Sequence, residues 1–437
     1  MTTHFWFYFM RKLRSLLTRA SRFLKGPLGR FLAAQNFSEF GNELDRMALR
    51  ALLALTFGDA EALRMIAKIE SIPYIFATLL AFPLGTIAGK MSLRRAALSI
   101  NILLGVATLG MFGYKIIPLV IVVQVIRRCG DSFFAAVYNR AITTIAPGAG
   151  LDRAQQMATV SGQVTKQVAL VVGATLVGTI GIGVFGVNAA TFMVAAVLFA
   201  SLDNGARQEV VAPGPQQSAG FWGLLAQRVE EIFVDMGVGL RYALTHPTYL
   251  AMLAVFTTVQ VNFAVRITAV ALIGDWGMQP TALGWYEGAG LLGEIIAVVA
   301  TTSLRQKGIY LFVDRQRVVK GRDVLVASVM LATTIACAGV APNLQVGIAL
   351  KILEGMATIS CSIYAGQVLT LLVPAQLVAT LSGFIELWRA LATGSASYLI
   401  GLSASQYGAS IVYTVVGSAT AAALVLFGTV LLLLRRR

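Results

Sequence analysis

The sequence predicts an all-α membrane protein, twelve transmembrane helices in two six-helix bundles, and three observations predict it. The 437 residues are 57% hydrophobic and only 13% charged, with a mean hydropathy of +0.76; no water-soluble core could hide so much apolar surface. Twelve apolar runs have about the length, roughly 20 residues, that a helix needs to cross a hydrocarbon layer of about 30 Å. These runs are continuous and rich in Leu, Ala, Val and Ile, whereas barrel strands alternate over about ten residues.

The chain begins with a basic segment, 1–30, in which Leu13, Leu16, Leu17, Phe23 and Leu24 alternate with Arg11, Lys12, Arg14, Arg19, Arg22 and Lys25. That pattern suits an interfacial amphipathic helix on anionic lipid, or a basic tail. It opens on aromatics rather than on a charged start and an apolar centre, so it reads as mature sequence and not as a signal peptide. The first bundle, 31–202, holds spans at about 31–56, 66–88, 95–114, 116–145, 154–179 and 182–202. A polar stretch from Asp203 to Gln217 with Pro213, Gly214 and Pro215 then opens a linker, 203–247. Its second part, Phe221 to Thr245, reads as an amphipathic helix that Pro247 ends. The second bundle, 248–437, holds spans at about 248–273, 280–303, 323–340, 344–372, 376–402 and 408–434.

Net charge of +15 suggests nucleic acid only until its distribution is read. Cations gather in alternate connections: seven before span one, Lys90, Arg94 and Arg95 after span two, six between Arg305 and Arg322, and Arg435 to Arg437 at the end. Arg64 and Lys115 stand near the opposite face. The positive-inside rule therefore puts both termini in the cytoplasm and predicts a multi-pass protein of the cytoplasmic (inner) membrane. No nucleic-acid partner is expected.

Enzyme chemistry finds no support. The two histidines, His4 and His246, complete no nucleophile, base and acid set. Cys129, Cys337 and Cys361 all lie within spans and share no metal-ligand spacing, so neither disulfide, metal nor other cofactor is expected.

The chemistry lies in ionisable residues within the spans. A residue advances about 100° around a helix, so Glu39, Glu43, Arg46 and Arg50 share one face of span one, beside Gln35 and Asn42. In span four, Gln124, Arg127, Arg128, Asp131 and Tyr138 recur at helical spacing, as do Gln155, Thr159, Gln163 and Lys166 in span five. Such stripes facing lipid would cost several kcal/mol per charge, so they are expected to face inward. They mark a solute pathway, or they pair across helices, as Arg46 with Asp131 or Glu43 with Arg127, and only fix the packing.

The second half contributes Asn262 and Arg266, then Glu287 and Glu294, then Lys351 and Glu354, and Glu386 and Arg389. The last two pairs are spaced by three and can neutralise themselves within one helix. Glu287 and Glu294 lie seven apart without a basic residue in their span, so each needs an interhelical partner or a proton. They are the proton-coupling candidates, with Asp45 and Asp131 as rivals. The arginines suit carboxylate recognition through bidentate hydrogen bonds.

Six and six spans around a linker resemble the major facilitator superfamily. The run Gly85-Thr86-Ile87-Ala88-Gly89-Lys90-Met91-Ser92-Leu93-Arg94-Arg95 is similar to that superfamily's signature loop, with Gly89 in place of its aspartate and Ser92 in place of its second glycine. Within the superfamily, Gly239-Leu240-Arg241-Tyr242 through His246-Pro247, Val265-Arg266, Asp275-Trp276-Gly277-Met278 and Gly284-Trp285-Tyr286 resemble the branch of macrolide-efflux proteins and the enterobactin exporter. The resemblance implies two bundles that rock about a mid-membrane site, with spans one and four lining the cavity.

On that footing Glu39, Glu43, Arg46, Arg50, Arg127, Arg128, Tyr138, Gln163, Lys166 and Arg266 are expected to bind substrate, and Gly85, Lys90, Arg94 and Arg95 to gate. The expected activity is proton-coupled export of a small siderophore-like or drug-like molecule by a monomer, with protons and membrane lipids as further partners. A lipid or lysolipid translocase, and a non-transporting sensor or scaffold on a carrier fold, are the alternatives.

Overall fold

A computed structural model of the chain describes residues 26–145, 150–202, 246–306, 321–372 and 378–435, with scattered positions between 223 and 245. Residues 1–25 of the N-terminal basic segment, most of the linker and the basic connection 307–320 lie outside the described residues. Among those described, every regular element is a helix.

The first half contains α1 (Pro27–Phe57), α2 (Asp59–Lys90), α3 (Leu93–Leu109), α4 (Ile117–Ile145), α5 (Gly150–Ile180) and α6 (Val184–Ala200). The second contains α7 (Pro247–Val265), α8 (Ala269–Asp275), α9 (Leu283–Gln306), α10 (Gly321–Gly339), α11 (Leu344–Leu372), α12 (Val378–Tyr407) and α13 (Ala409–Arg435). Proline sets two of these starts, Pro27 and Pro247 in the first helical turn, where its missing N–H costs nothing. The α1–α2 and α12–α13 connections turn on Gly58 (φ 76°) and Gly408 (φ 90°), a left-handed conformation that a side chain would strain.

Six stretches are long and apolar enough to cross a membrane: Leu93–Gly113, Val164–Ala200, Thr248–Asp275, Pro280–Thr301, Leu344–Ser362 and Ala409–Thr429. α1 and α4 have the length, but any 18 consecutive residues of either include at least three ionisable side chains. Two of the helices carrying charged stripes, α1 and α4, are thus not among the six. Apolar side chains stand exposed on the outside of the molecule, including Ile102, Leu103, Val106 and Leu109 on α3 and Ile411, Val415 and Leu426 on α13. A water-soluble protein would bury such belts; the chain is an integral, multi-pass membrane protein.

α1 packs on α5 and α6, α2 on α4, and α3 on α6; in the second half α9 packs on α11, α10 on α13, and α7 on α12. The halves meet along α2 with α12 and α5 with α9. At the second seam a Cβ on Gly284 would stand 2.7 Å from the carbonyl oxygen of Leu170, so only glycine lets the backbones approach this closely. Within the second half, Cβ atoms on Gly293 and Gly355 would collide with the backbones of Ile352 and Gly290.

One span is broken. Between α7 and α8 the chain winds through a 3-10 turn, Arg266–Thr268, inside the apolar stretch Thr248–Asp275. The break lies where the two halves touch and where Arg266 leaves its helix.

Candidate functional site

α1, α4 and α5 surround a chamber of about 520 Å³, reached also by Glu70 of α2 and Arg389 of α12. Nine of its eighteen lining residues are charged: Glu39, Glu43, Arg46, Glu70, Arg127, Arg128, Asp131, Lys166 and Arg389. A second space of about 300 Å³ continues it between the halves, sharing Glu43, Arg46, Glu70, Arg128, Lys166 and Arg389 with the first. Its remaining wall includes Arg50, Gln260, Arg266, Glu287 and Glu294.

Charges in the first half meet in specific pairs. Lys166 Nζ lies 3.2 Å from Glu39 Oε2, and Arg46 pairs with Glu43 one turn away on its own helix. Arg127 pairs with Asp45, which is wholly buried, and donates from Nη2 to Asn42 Oδ1 at 2.9 Å. Asn42 in turn donates to Asp131 Oδ1 at 3.1 Å. Arg128 lies 3.6 Å from Glu70 and 3.9 Å from Asp131, its guanidinium 4.4 Å from the Tyr74 ring centroid. These partners differ from the expected Arg46–Asp131 and Glu43–Arg127 pairs. Residues 43 and 46 already adjoin on one helix face, while Arg127 reaches the adjacent Asn42 and Asp45.

The second half holds a tighter cluster. Lys351, with no exposed surface, donates to Glu354 Oε1 at 2.7 Å and lies 3.4 Å from Glu287 Oε1. Arg266 Nε stands 3.5 Å from Glu354 and 3.7 Å from Glu287, and its Nη2 stands 4.0 Å from Glu294. The Tyr286 ring centroid lies 4.9 Å from Lys351 Nζ. Lys351 and Glu354, expected to neutralise each other within their helix, instead serve Glu287 and Arg266 as well.

The positions expected to matter are therefore distributed unevenly. Glu39, Glu43, Arg46, Arg127, Arg128, Asp131, Tyr138 and Lys166 line the larger space, and Arg50, Arg266, Glu287 and Glu294 line the second. Asp45 lines neither; it faces Arg127 from the interior. The side chains of Gln163 and Lys90 lie outside those described, and Gly85 is placed only as part of α2. Arg94 and Arg95 are exposed on the first turn of α3, whose start Ser92 caps by accepting from the Arg95 N–H at 3.4 Å. Serine at the signature loop's second glycine thus has a local structural use.

Glu70 was not among the expected residues, yet it accepts from Arg50 at 2.8 and 3.2 Å and faces Arg128. Its signal was present, since it is the only acid in the expected span 66–88.

Among the described residues, several contacts between the halves lie near the face bearing the α1–α2, α8–α9 and α12–α13 connections. Arg50 Nη1 donates to the Arg266 carbonyl at 3.5 Å, and Arg64 Nε donates to Ser405 Oγ at 3.3 Å. A Cβ on Gly178 would touch Thr281 at 3.3 Å. The larger space extends the other way, along Gln35, Tyr138 and Ala158.

No family model matches the chain, and no curated protein does. Solved structures do match. A POT family transporter in complex with 5-aminolevulinic acid superposes with a TM-score of 0.66 at 11% identity, covering 92% of this chain and 95% of that one. The nucleoside transporter NupG gives 0.63 at 11%, covering 92% and 98%. A structure described as giving insight into substrate recognition in proton dependent oligopeptide transporters gives 0.64 at 12%, covering 94% and 99%. The chain has the fold of these carriers, which is the major facilitator fold.

Proposed function

We propose that this protein is a secondary active transporter that moves a small, polar, charge-bearing organic molecule by alternating access, coupled to protons. One observation carries the reading: a chamber in a carrier fold, walled chiefly by α1, α4 and α5 and continued between the two halves, half of whose larger wall is ionic. Charges of both signs in a low-dielectric setting cost several kcal/mol each unless water, partners or a solute compensates them. Their concentration on the walls of an open space favours a solute that exchanges for internal partners.

The cavity fits a carboxylate-bearing or catechol-like molecule better than a greasy drug, because Arg46 and Arg128 offer planar forks for paired oxygen atoms. Acyl chains would gain little from such a wall, which argues against a lipid translocase. Twelve spans are the reading of the apolar runs, and cytoplasmic termini and an inner-membrane location that of the positive-inside pattern. The outward direction, with a siderophore-like cargo, follows from the resemblance to efflux carriers.

Reconstituted vesicles with an imposed pH gradient test this, using labelled 2,3-dihydroxybenzoate and a panel of amphoteric organic acids as probes. Wild type should drive at least one probe against its concentration, and Arg128→Ala and Asp131→Asn should slow it at least tenfold. Movement of no probe in either direction would favour the scaffold alternative.

A further inference from the structure

The cluster around Arg266 contains two cations, Arg266 and Lys351, and three carboxylates, Glu287, Glu294 and Glu354. All three acids are at least nine-tenths buried. Two cations can neutralise two of them, and a third bare carboxylate at that depth is costly enough that a proton is the cheaper partner.

Geometry selects which acid takes it. Lys351 donates to Glu354 and lies 3.4 Å from Glu287, and Arg266 Nε stands 3.5 and 3.7 Å from the same two, so each of those acids has two cations within 4 Å. Among the described residues Glu294 has a single cationic nitrogen within 4.0 Å, the Nη2 of Arg266, too far for a hydrogen bond. That same Nη2 is buried and makes no hydrogen bond among the described residues. Glu294 also lines the chamber, where Lys166 of α5 and Arg389 of α12 share the wall, so a proton can reach it by water.

We infer that Glu294 is the acid that takes up and releases the coupling proton, and that Arg266 is the cation that answers it. This rests on the proton-coupled reading above. When Glu294 is neutral, Arg266 stays with Glu287 and Glu354. When Glu294 ionises, its carboxylate draws the free Nη2 into a hydrogen bond and loosens those two contacts. Arg266 begins the 3-10 turn between α7 and α8, and its carbonyl accepts from Arg50 of the other half. Proton release is thereby felt at the contact between the halves. The groups facing this exchange are Arg266 after α7, Lys351 and Glu354 of α11, Glu287 of its own helix, Lys166 of α5, Arg389 of α12 and, through Glu287, Arg50 of α1.

Infrared difference spectra of the reconstituted protein across a pH step test the assignment through the carboxylic-acid carbonyl band. A band should vanish in Glu294→Gln and persist in Glu287→Gln and Glu354→Gln. In Arg266→Gln its midpoint should move upward by about 1 to 3 pH units, since an opposite charge has gone. A band untouched by Glu294→Gln, a band lost only in Glu287→Gln or Glu354→Gln, or an unmoved midpoint in Arg266→Gln would each overturn the inference. Gradient-driven movement of a probe in wild type, with the band unaffected by Glu294→Gln, defeats this assignment alone. Loss of the band in Glu294→Gln with no probe moved by wild type defeats the transport reading and leaves the titrating acid identified.

Discussion

Arg50 on α1 donates from both Nε and Nη2 to one oxygen of Glu70 on α2, at 3.2 and 2.8 Å. Its remaining arm faces the Arg266 carbonyl of the other half at 3.5 Å. Glu70 therefore orients an arginine of the charged α1 stripe that touches both halves. It also meets Arg128, which links the inter-half contact to the chamber wall.

Glu70→Gln should destabilise the protein by about 1 to 3 kcal/mol, because it leaves Arg50 and Arg128 without their shared anion at a largely buried part of the chamber wall. Thermal unfolding in detergent, with Glu61→Gln as an exposed control, measures it. Equal melting temperatures for the two variants would remove Glu70 from its central place.

Asp45 and Asp131 should separate. Asp45 is fully buried against Arg127, whereas the Asp131 side chain is 43% exposed. Asp45→Asn should lower stability by several kcal/mol, and Asp131→Asn by about 1 kcal/mol or less while still slowing probe transport. Denaturant titration of both variants, paired with vesicle uptake, reads the contrast; a reversed order would refute it.

Water should reach the chamber and not the outer belt. In a background with Cys129, Cys337 and Cys361 replaced by alanine, cysteine at Gln124 or Tyr138 should react with a charged, membrane-impermeant thiol reagent in open membranes. Cysteine at Val106 or Val197, both exposed on the outer surface, should stay unmodified because lipid covers it. Similar labelling at all four sites would contradict the placement of the membrane.

Gly284→Val should wedge the seam between α5 and α9, where a Cβ already meets the Leu170 and Val171 carbonyls at 2.7 and 2.9 Å. Spin labels at Arg64 and Ser405, whose side chains touch across the halves, should then show a longer distance by pulsed electron resonance. An unchanged distance distribution would show that this seam does not hold the face closed.

Repetition along the chain was enough to reveal the helices, the membrane class and the two charged faces of α1 and α4. Helical period and apolar run length are local properties, and Glu39, Glu43 and Arg46 share a face whatever surrounds them. Which charge meets which was another matter. Lys351 and Glu354 looked self-contained because they sit one turn apart, yet packing of α9 and α7 against α11 brings Glu287 and Arg266 onto the same pair. Glu70 stood alone in its span, and only the azimuth and depth at which α1 and α4 meet α2 give it Arg50 and Arg128. The sequence alone determined the helices, the membrane class and the charged faces, because those follow from the backbone's own period and the length of apolar runs. Tertiary structure alone decided the ion pairs and the seams along which the halves meet, because each depends on side chains distant in sequence arriving within a few ångströms of each other.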